Sequence, residues 1–299
     1  MRTLISCCLA AIAAASYTDA QAEISFTLSN DAYCGKDQYM THVYEGPAKG
    51  FKPTYIIYHA IDDTQGYIGY LASDNSIYVV FRGSSSIPNW ITNLSTTKTT
   101  YTSFADCNCK VHAGFFSAEQ AVITGVLNEV KRLRGIYPTA AIKTTGHSLG
   151  GAMAQLTGMD LIKAGYDVQM YNFGQPRIGD AAYSAYSKTK FPKQYRVVHH
   201  RDIVPHNPGE ALGFVQTCTE YYEDTTAVTV KQCTNTCEDP SCSDQWSALV
   251  LNVDDHLNYL GKCIGGNCGQ CAVASEEPGF VVERDTLVVD FTLDGSFLQ

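Results

Sequence analysis

The sequence predicts an α/β fold, and three observations carry the prediction. A serine stands between glycines in Gly146-His147-Ser148-Leu149-Gly150-Gly151, the G-x-S-x-G spacing of a strained strand-to-helix turn. A strand-like run leads into that turn and a small-residue helical run leaves it. Strand and helix patterns are interspersed along much of the remaining chain, as α/β layering requires.

Taken in order, Tyr67 to Leu71 and Ile77 to Phe81 read as strands, separated by the polar turn Ala72-Ser73-Asp74-Asn75-Ser76. Ile87, Trp90, Ile91 and Leu94 fall at i, i+3, i+4 and i+7, with Asn89, Thr92 and Asn93 opposite. That is one apolar face of a helix, and the pattern by itself says only that the helix packs on a core. A Thr/Ser-rich stretch, Ser95 to Ser103, follows it. Phe115 to Arg134 is helical, with Ala118, Ala121, Val122, Val126, Val130 and Leu133 on a shared side and Gly135 and Pro138 ending it. Ala141 to Thr145 is the strand entering the serine turn, and Gly151-Ala152-Met153-Ala154-Gln155-Leu156 opens the helix after it. Val168 to Phe173 and Tyr195 to Val198 are further strands.

Residues 1–22 read as a secretory signal peptide. Arg2 supplies the charge, Leu4 to Ala15 the apolar stretch, and Ala20-Gln21-Ala22 a small-x-small cleavage pattern. The stretch is too short to span a bilayer, and no later run approaches twenty apolar residues. Residues 23–275 are expected to form one domain, and 276–299 a tail in which Phe280 to Val282 and Thr286 to Val289 look strand-like. A net charge of −9 argues against nucleic acid and against electrostatic docking on anionic membranes. Of twelve cysteines, ten remain after Cys7 and Cys8 leave with the signal, and an even number in an exported chain reads as a disulfide framework. Cys268-Gly269-Gln270-Cys271 resembles a redox pair and the Cys233 to Cys242 cluster a zinc site. The first lacks the βαβ start of thioredoxin-type motifs and the second a matching histidine pair, so no metal and no cofactor are expected.

A serine hydroxyl needs a base to take its proton, and the base needs a carboxylate to fix its tautomer. Ser148 is therefore read as a nucleophile, with the base downstream, in the order serine, acid, histidine. His256, in Val253-Asp254-Asp255-His256-Leu257-Asn258-Tyr259, is the expected base. His199 and His200 end a strand, and His147 cannot easily turn toward the serine beside it. Asp202 is the expected acid, because it follows the strand Tyr195 to Val198 directly, where α/β sites assemble. Asp254 and Asp255 are its rivals.

Five collinear motifs, from about Tyr33 to about Cys271, resemble the class 3 (filamentous-fungal type) lipases. They are Phe81-Arg82-Gly83-Ser84-Ser85-Ser86-Ile87-Pro88-Asn89-Trp90, Val111-His112-Ala113-Gly114-Phe115, the serine turn, Asn172-Phe173-Gly174-Gln175-Pro176-Arg177-Ile178-Gly179, and Asp255-His256-Leu257. The resemblance implies an α/β-hydrolase fold, with a mostly parallel central sheet flanked by helices and an amphipathic lid. It implies a Ser148, Asp202, His256 triad and an oxyanion hole at Ser84 and the backbone N–H of Leu149. It places the lid on Ile87, Trp90, Ile91 and Leu94, with Ser95 to Ser103 as a hinge region, and joins Cys34 to one of Cys263, Cys268 or Cys271. Two departures stand out: the cysteine-rich insertion Lys231 to Asp244, and the tail. The sequon Asn93-Leu94-Ser95 lies on the lid.

The expected function is a secreted triacylglycerol lipase, a monomer acting on ester lipid at an oil–water interface. Feruloyl esterases share the fold and much of the motif set and form an alternative. An inactive lipase-like binding protein is a third reading, opposed by the intact serine, aspartate and histidine.

Overall fold

The computed structural model describes residues 16–224, 230–234, 236–268 and 271. The tail strands expected beyond 275 and most of the signal segment lie outside them. Helix α1 (Asp19–Asp31) opens the fold, followed by strands β1 (Lys52–His59), β2 (Thr64–Leu71) and β3 (Ser76–Phe81) and helix α2 (Ile87–Asn93). The short strands β4 (Lys98–Thr100) and β5 (Lys110–His112) precede the long helix α3 (Ala113–Ile136). Then come β6 (Ala141–His147), α4 (Leu149–Lys163), β7 (Val168–Phe173), α5 (Ala181–Lys190), β8 (Gln194–His199), β9 (Glu220–Glu223) and β10 (Val230–Gln232).

Eight strands form one sheet in the order β1-β2-β3-β6-β7-β8-β9-β10. The five central strands, β3 to β9 in that order, run parallel, and an antiparallel pairing closes each side. Period-two alternation sets the layers. Ile77, Val79 and Phe81 join the core under α3 and α4, whereas Tyr78 and Val80 join the core under α1 on the other face. Both faces of β3 are therefore buried, which is why it reads as a continuous apolar run.

The signal boundary expected after Ala22 falls inside α1. Thr18 Oγ1 caps that helix at Gln21 N (3.3 Å), Gln21 reaches Asp74 (2.7 Å), and Ala22 is fully buried. Tyr17 stacks on Tyr221 with ring centroids 4.3 Å apart. The small residues that resemble a cleavage pattern here let a helix lie close against a sheet.

The ten cysteines pair as Cys34–Cys271, Cys107–Cys109, Cys218–Cys237, Cys233–Cys242 and Cys263–Cys268. Cys268 and Cys271 thus bond other partners, and Cys233 and Cys242 bond each other. Cys218–Cys237 ties the cysteine-rich insertion to the segment before β9, and Cys233–Cys242 closes the insertion on itself. Glu238 in the insertion takes a bidentate pair from buried Arg177 (2.8 and 3.1 Å), and Ser243 bonds Glu220, the partner of buried Arg196. Buried guanidinium groups need such carboxylates, so the insertion closes the sheet's far edge.

Candidate active site

Ser148 sits between β6 and α4 with φ +58° and ψ −129°, a conformation few residues other than glycine adopt without strain. Its neighbours explain the two glycines. A Cβ on Gly146 would lie 2.3 Å from the Gly150 backbone, and one on Gly150 would lie 2.3 Å from the Phe81 carbonyl. The strand, turn and helix therefore meet only where side chains are absent. The helix starts immediately at Leu149, two residues earlier than its small-residue run suggests. Its first N–H groups point back toward the turn, the arrangement that favours a developing negative charge.

Asp202 follows β8, and His256 lies in the loop after the insertion. His256 Nδ1 and Asp202 Oδ2 are 2.7 Å apart, and both side chains are fully buried. A carboxylate accepts, so the Nδ1 proton points to Asp202 and Nε2 is left as the basic nitrogen. Asp202 is held by two more donors, Val204 N (2.7 Å) and the Tyr259 hydroxyl. Neither Ser148 Oγ nor His256 Nε2 has a hydrogen-bond partner, although both atoms are buried. A buried polar atom without a partner calls for an explanation, and these two belong to a serine on a strained turn and to the imidazole fixed by Asp202.

The rivals serve elsewhere. Asp255 Oδ2 accepts from Arg201 N (3.1 Å) and Asn252 Nδ2 (2.9 Å) and faces His200, clamping the loop, while Asp254 is exposed. His199 faces the Asp255 carbonyl at 2.9 Å. His147 turns away from Ser148 but not from the site. Its Nε2 is 2.9 Å from the His256 carbonyl, which can only accept, so its Nδ1 accepts from the Tyr33 hydroxyl at 2.6 Å. Its ring stacks on His256 at 4.3 Å. Burial, then the neighbouring His256, hold the His147 pKa well below the usual histidine range, so it stays neutral beside the imidazole it supports. The Tyr33 hydroxyl also lies against Gly83, one residue before Ser84, where a Cβ would come 2.1 Å from it. The turn before Ser84 and the backbone of His256 are thereby brought together through the Tyr33 phenol and the His147 ring. Neither Tyr33 nor Tyr259 stands out in a chain of nineteen tyrosines.

Gly83 lies beside the elbow, since a Cβ there would come 3.0 Å from Ser148 Cβ. That brings Ser84 to the nucleophile's flank, with Leu149 on the other side. Helix α2 begins three residues later, with Pro88 in its first turn, where a missing N–H costs nothing. Ile87 is buried and Trp90, Ile91 and Leu94 are half-buried, with Asn89, Thr92 and Asn93 exposed. Trp90 lies parallel to Phe115 of α3, ring centroids 6.2 Å apart. Beyond α2, the Ser95 carbonyl accepts from His112 Nε2 (2.5 Å). Ser148 itself is fully buried in this conformation.

A mostly parallel sheet, a positive-φ serine at a strand-to-helix turn and a buried Asp–His pair together define an α/β-hydrolase. The family model for class 3 lipases matches residues 78–212. Rhizomucor miehei lipase is 37% identical over 221 residues, covering 71% of this chain and 58% of its own length. A secreted mono- and diacylglycerol lipase of Fusarium solani is 34% identical over 177 residues, covering 58% and 53%. The solved Rhizomucor miehei lipase propeptide complex superposes with a TM-score of 0.76 at 33% identity, covering 83% of this chain and 81% of that one. The chain belongs to the class 3 lipase family. It spans little more than half the length of the curated relatives it matches.

Proposed function

We propose that the protein is a secreted serine hydrolase that cleaves the carboxylic esters of acylglycerols. One observation carries the reading: a basic His256 Nε2 and the Ser148 hydroxyl, both buried and unpartnered, beside a carboxylate that fixes the imidazole. In the reaction Ser148 Oγ attacks the acyl carbon while His256 Nε2 takes its proton. The Leu149 N–H and Ser84 stabilise the oxyanion, commonly the largest catalytic contribution. Collapse breaks the ester C–O bond, and His256 returns the proton to the departing alcohol. Water, deprotonated by His256, then releases the fatty acid and restores Ser148. Asp202, held by three donors, keeps the imidazole oriented throughout.

Helix α2 acts as the lid, with Ile87, Trp90, Ile91 and Leu94 turned inward in water. Opening exposes apolar area that an oil surface buries, so lipid favours the open state by its preference for that state alone. A monomer at an oil–water interface meets this requirement without a cofactor. The same inward face weighs against the feruloyl esterase reading, whose soluble aromatic substrate gains nothing from an oil-triggered cover. Export would begin with the N-terminal leader expected over residues 1–22. The fungal relative named as secreted supports that location.

A panel of short-chain, long-chain and feruloyl esters tests the reading. Hydrolysis of long-chain acylglycerols that rises when droplets form is expected. Preference for the feruloyl ester, or no hydrolysis of any, overturns it.

A further inference from the structure

Asn93-Leu94-Ser95 is the single N-x-Ser/Thr sequon in the sequence, and the structure puts its acceptor where a glycan has consequences. Asn93 ends α2 on the exposed side, next to exposed Thr92, Ser95 and Thr96, while Trp90 and Leu94 on the opposite side pack on the core. Its one local bond, Asn93 Nδ2 to the Asn89 carbonyl at 2.8 Å, uses a single amide proton. A glycosylated Nδ2 keeps one proton and can retain that bond. Among the described residues, Asn93 is exposed and its side chain makes only this bond, so a modified Asn93 fits the closed state.

We propose that Asn93 carries an N-linked glycan, and that this glycan holds the lid toward its closed position. The inference rests on the export and lid readings above. Transfer forms the bond from Asn93 Nδ2 to the sugar C1 and breaks the C1–O bond of a polyprenyl-diphosphate-linked oligosaccharide. Nδ2 loses one proton, and the polyprenyl diphosphate leaves. The consequence follows from amphipathicity. An opening that turns the apolar face toward lipid turns the Asn89, Thr92 and Asn93 face away from water and toward the body of the enzyme. A bulky, strongly hydrated glycan on that face is accommodated when α2 is closed and crowded when it is open. It shifts the equilibrium by that difference.

The test is expression through a eukaryotic secretory route, intact mass measurement, and peptide:N-glycosidase digestion. Conversion of Asn93 to Asp, and loss of the added mass in both Asn93→Gln and Ser95→Ala, are expected. An unmodified mass for the secreted wild type overturns the site. Both unglycosylated variants should hydrolyse a long-chain ester emulsion several-fold faster than the glycoprotein, with a soluble short-chain ester unchanged. A glycan at Asn93 with equal emulsion rates in its absence overturns the restraint. Failure of the lid reading itself is seen separately, as equal losses on both substrates in Trp90→Ser.

Discussion

The nucleophile elbow and helix α2 lie a few residues of backbone apart in space, yet they are built on opposite terms. Around the elbow every degree of freedom is contested. Two glycines admit the backbone crossing, three donors hold Asp202, and His147 ties His256 to Tyr33. Helix α2 has seven residues, no side-chain cap at Ser86 and one buried residue, Ile87. An isolated helix that short is unstable in water, so its position depends on Trp90 against Phe115 and on the anchor at Ser95. Under the proposed mechanism, chemistry requires atoms that do not move, and access requires an element whose closed state is only slightly favoured.

The largest effect should come from breaking the rigid half at its reacting atom. Ser148→Ala should cut kcat by roughly 10³–10⁶-fold and leave the melting temperature nearly unchanged, because the triad acts as a unit. His256→Ala should match it, and the double variant should be little worse. Ester hydrolysis that survives in purified Ser148→Ala protein sinks the mechanism.

The next effect concerns the wall on which both halves lean. Glu119 of α3 is fully buried against Asp160 of α4, with Gln120 bonding both carboxyls at 2.8 and 3.1 Å. Tyr101 and Tyr183 lie near the pair, and Lys163 adds charge only toward Asp160. Burial, then Asp160, push the Glu119 pKa from 4.5 to about 8. The folded state therefore keeps a proton that the unfolded chain releases above pH 4.5. Stability should fall as pH rises from there to about 8, by on the order of a few kcal/mol. Thermal melts across that range check the slope, and Glu119→Gln should flatten it. An unchanged slope in the variant removes Glu119 as the cause.

Breaking the soft half should be smaller and substrate-dependent. Trp90→Ser should weaken activity on droplets by about 1.5–3 kcal/mol, the burial of one large side chain, and change soluble short-chain ester hydrolysis much less. Comparing rates on the two substrates decides the matter, since equal losses would make Trp90 a packing residue only.

The smallest effect sharpens the comparison inside the rigid half. Tyr33→Phe removes the hydroxyl that His147 accepts from, at a cost of about 0.5–1.5 kcal/mol for one hydrogen bond. Steady-state kinetics should show kcat lowered several-fold with KM nearly constant. A KM change alone would place Tyr33 in substrate binding instead.

Much of the fold was legible because local pattern and tertiary role coincide. Val168 to Phe173 is a strand with the expected bounds, and the expected helix Phe115 to Arg134 extends by two residues at each end. Of the expected site residues, Asp202 and His256 bond each other at 2.7 Å, and Ser148 follows β6 at the end of the parallel sheet where β8 also ends. Helix α1 was missed, since its alanines and serines fit a processing pattern as well as a helix, and only packing on β6 and β7 separates them. Strand β1 was missed as well: it is an edge strand with half-exposed residues, and its alternation is weak. Tyr33 and Tyr259 carried no signal, because a tyrosine's hydrogen-bond partner lies more than a hundred residues away for Tyr33, at His147, and 57 residues away for Tyr259, at Asp202.

By itself, the sequence determined the parts whose cause is local. Glycines at 146 and 150 are dictated by a backbone crossing, and the i, i+3, i+4, i+7 apolar spacing dictates which side of α2 faces inward. The even cysteine number dictated a framework but not its pairs. Tertiary structure alone decided which of three cysteines joins Cys34, which histidine nitrogen carries a proton, and why His147 stays neutral. Those outcomes depend on distance and dielectric between groups remote in the chain, and neither is written in the order of residues until the chain has folded.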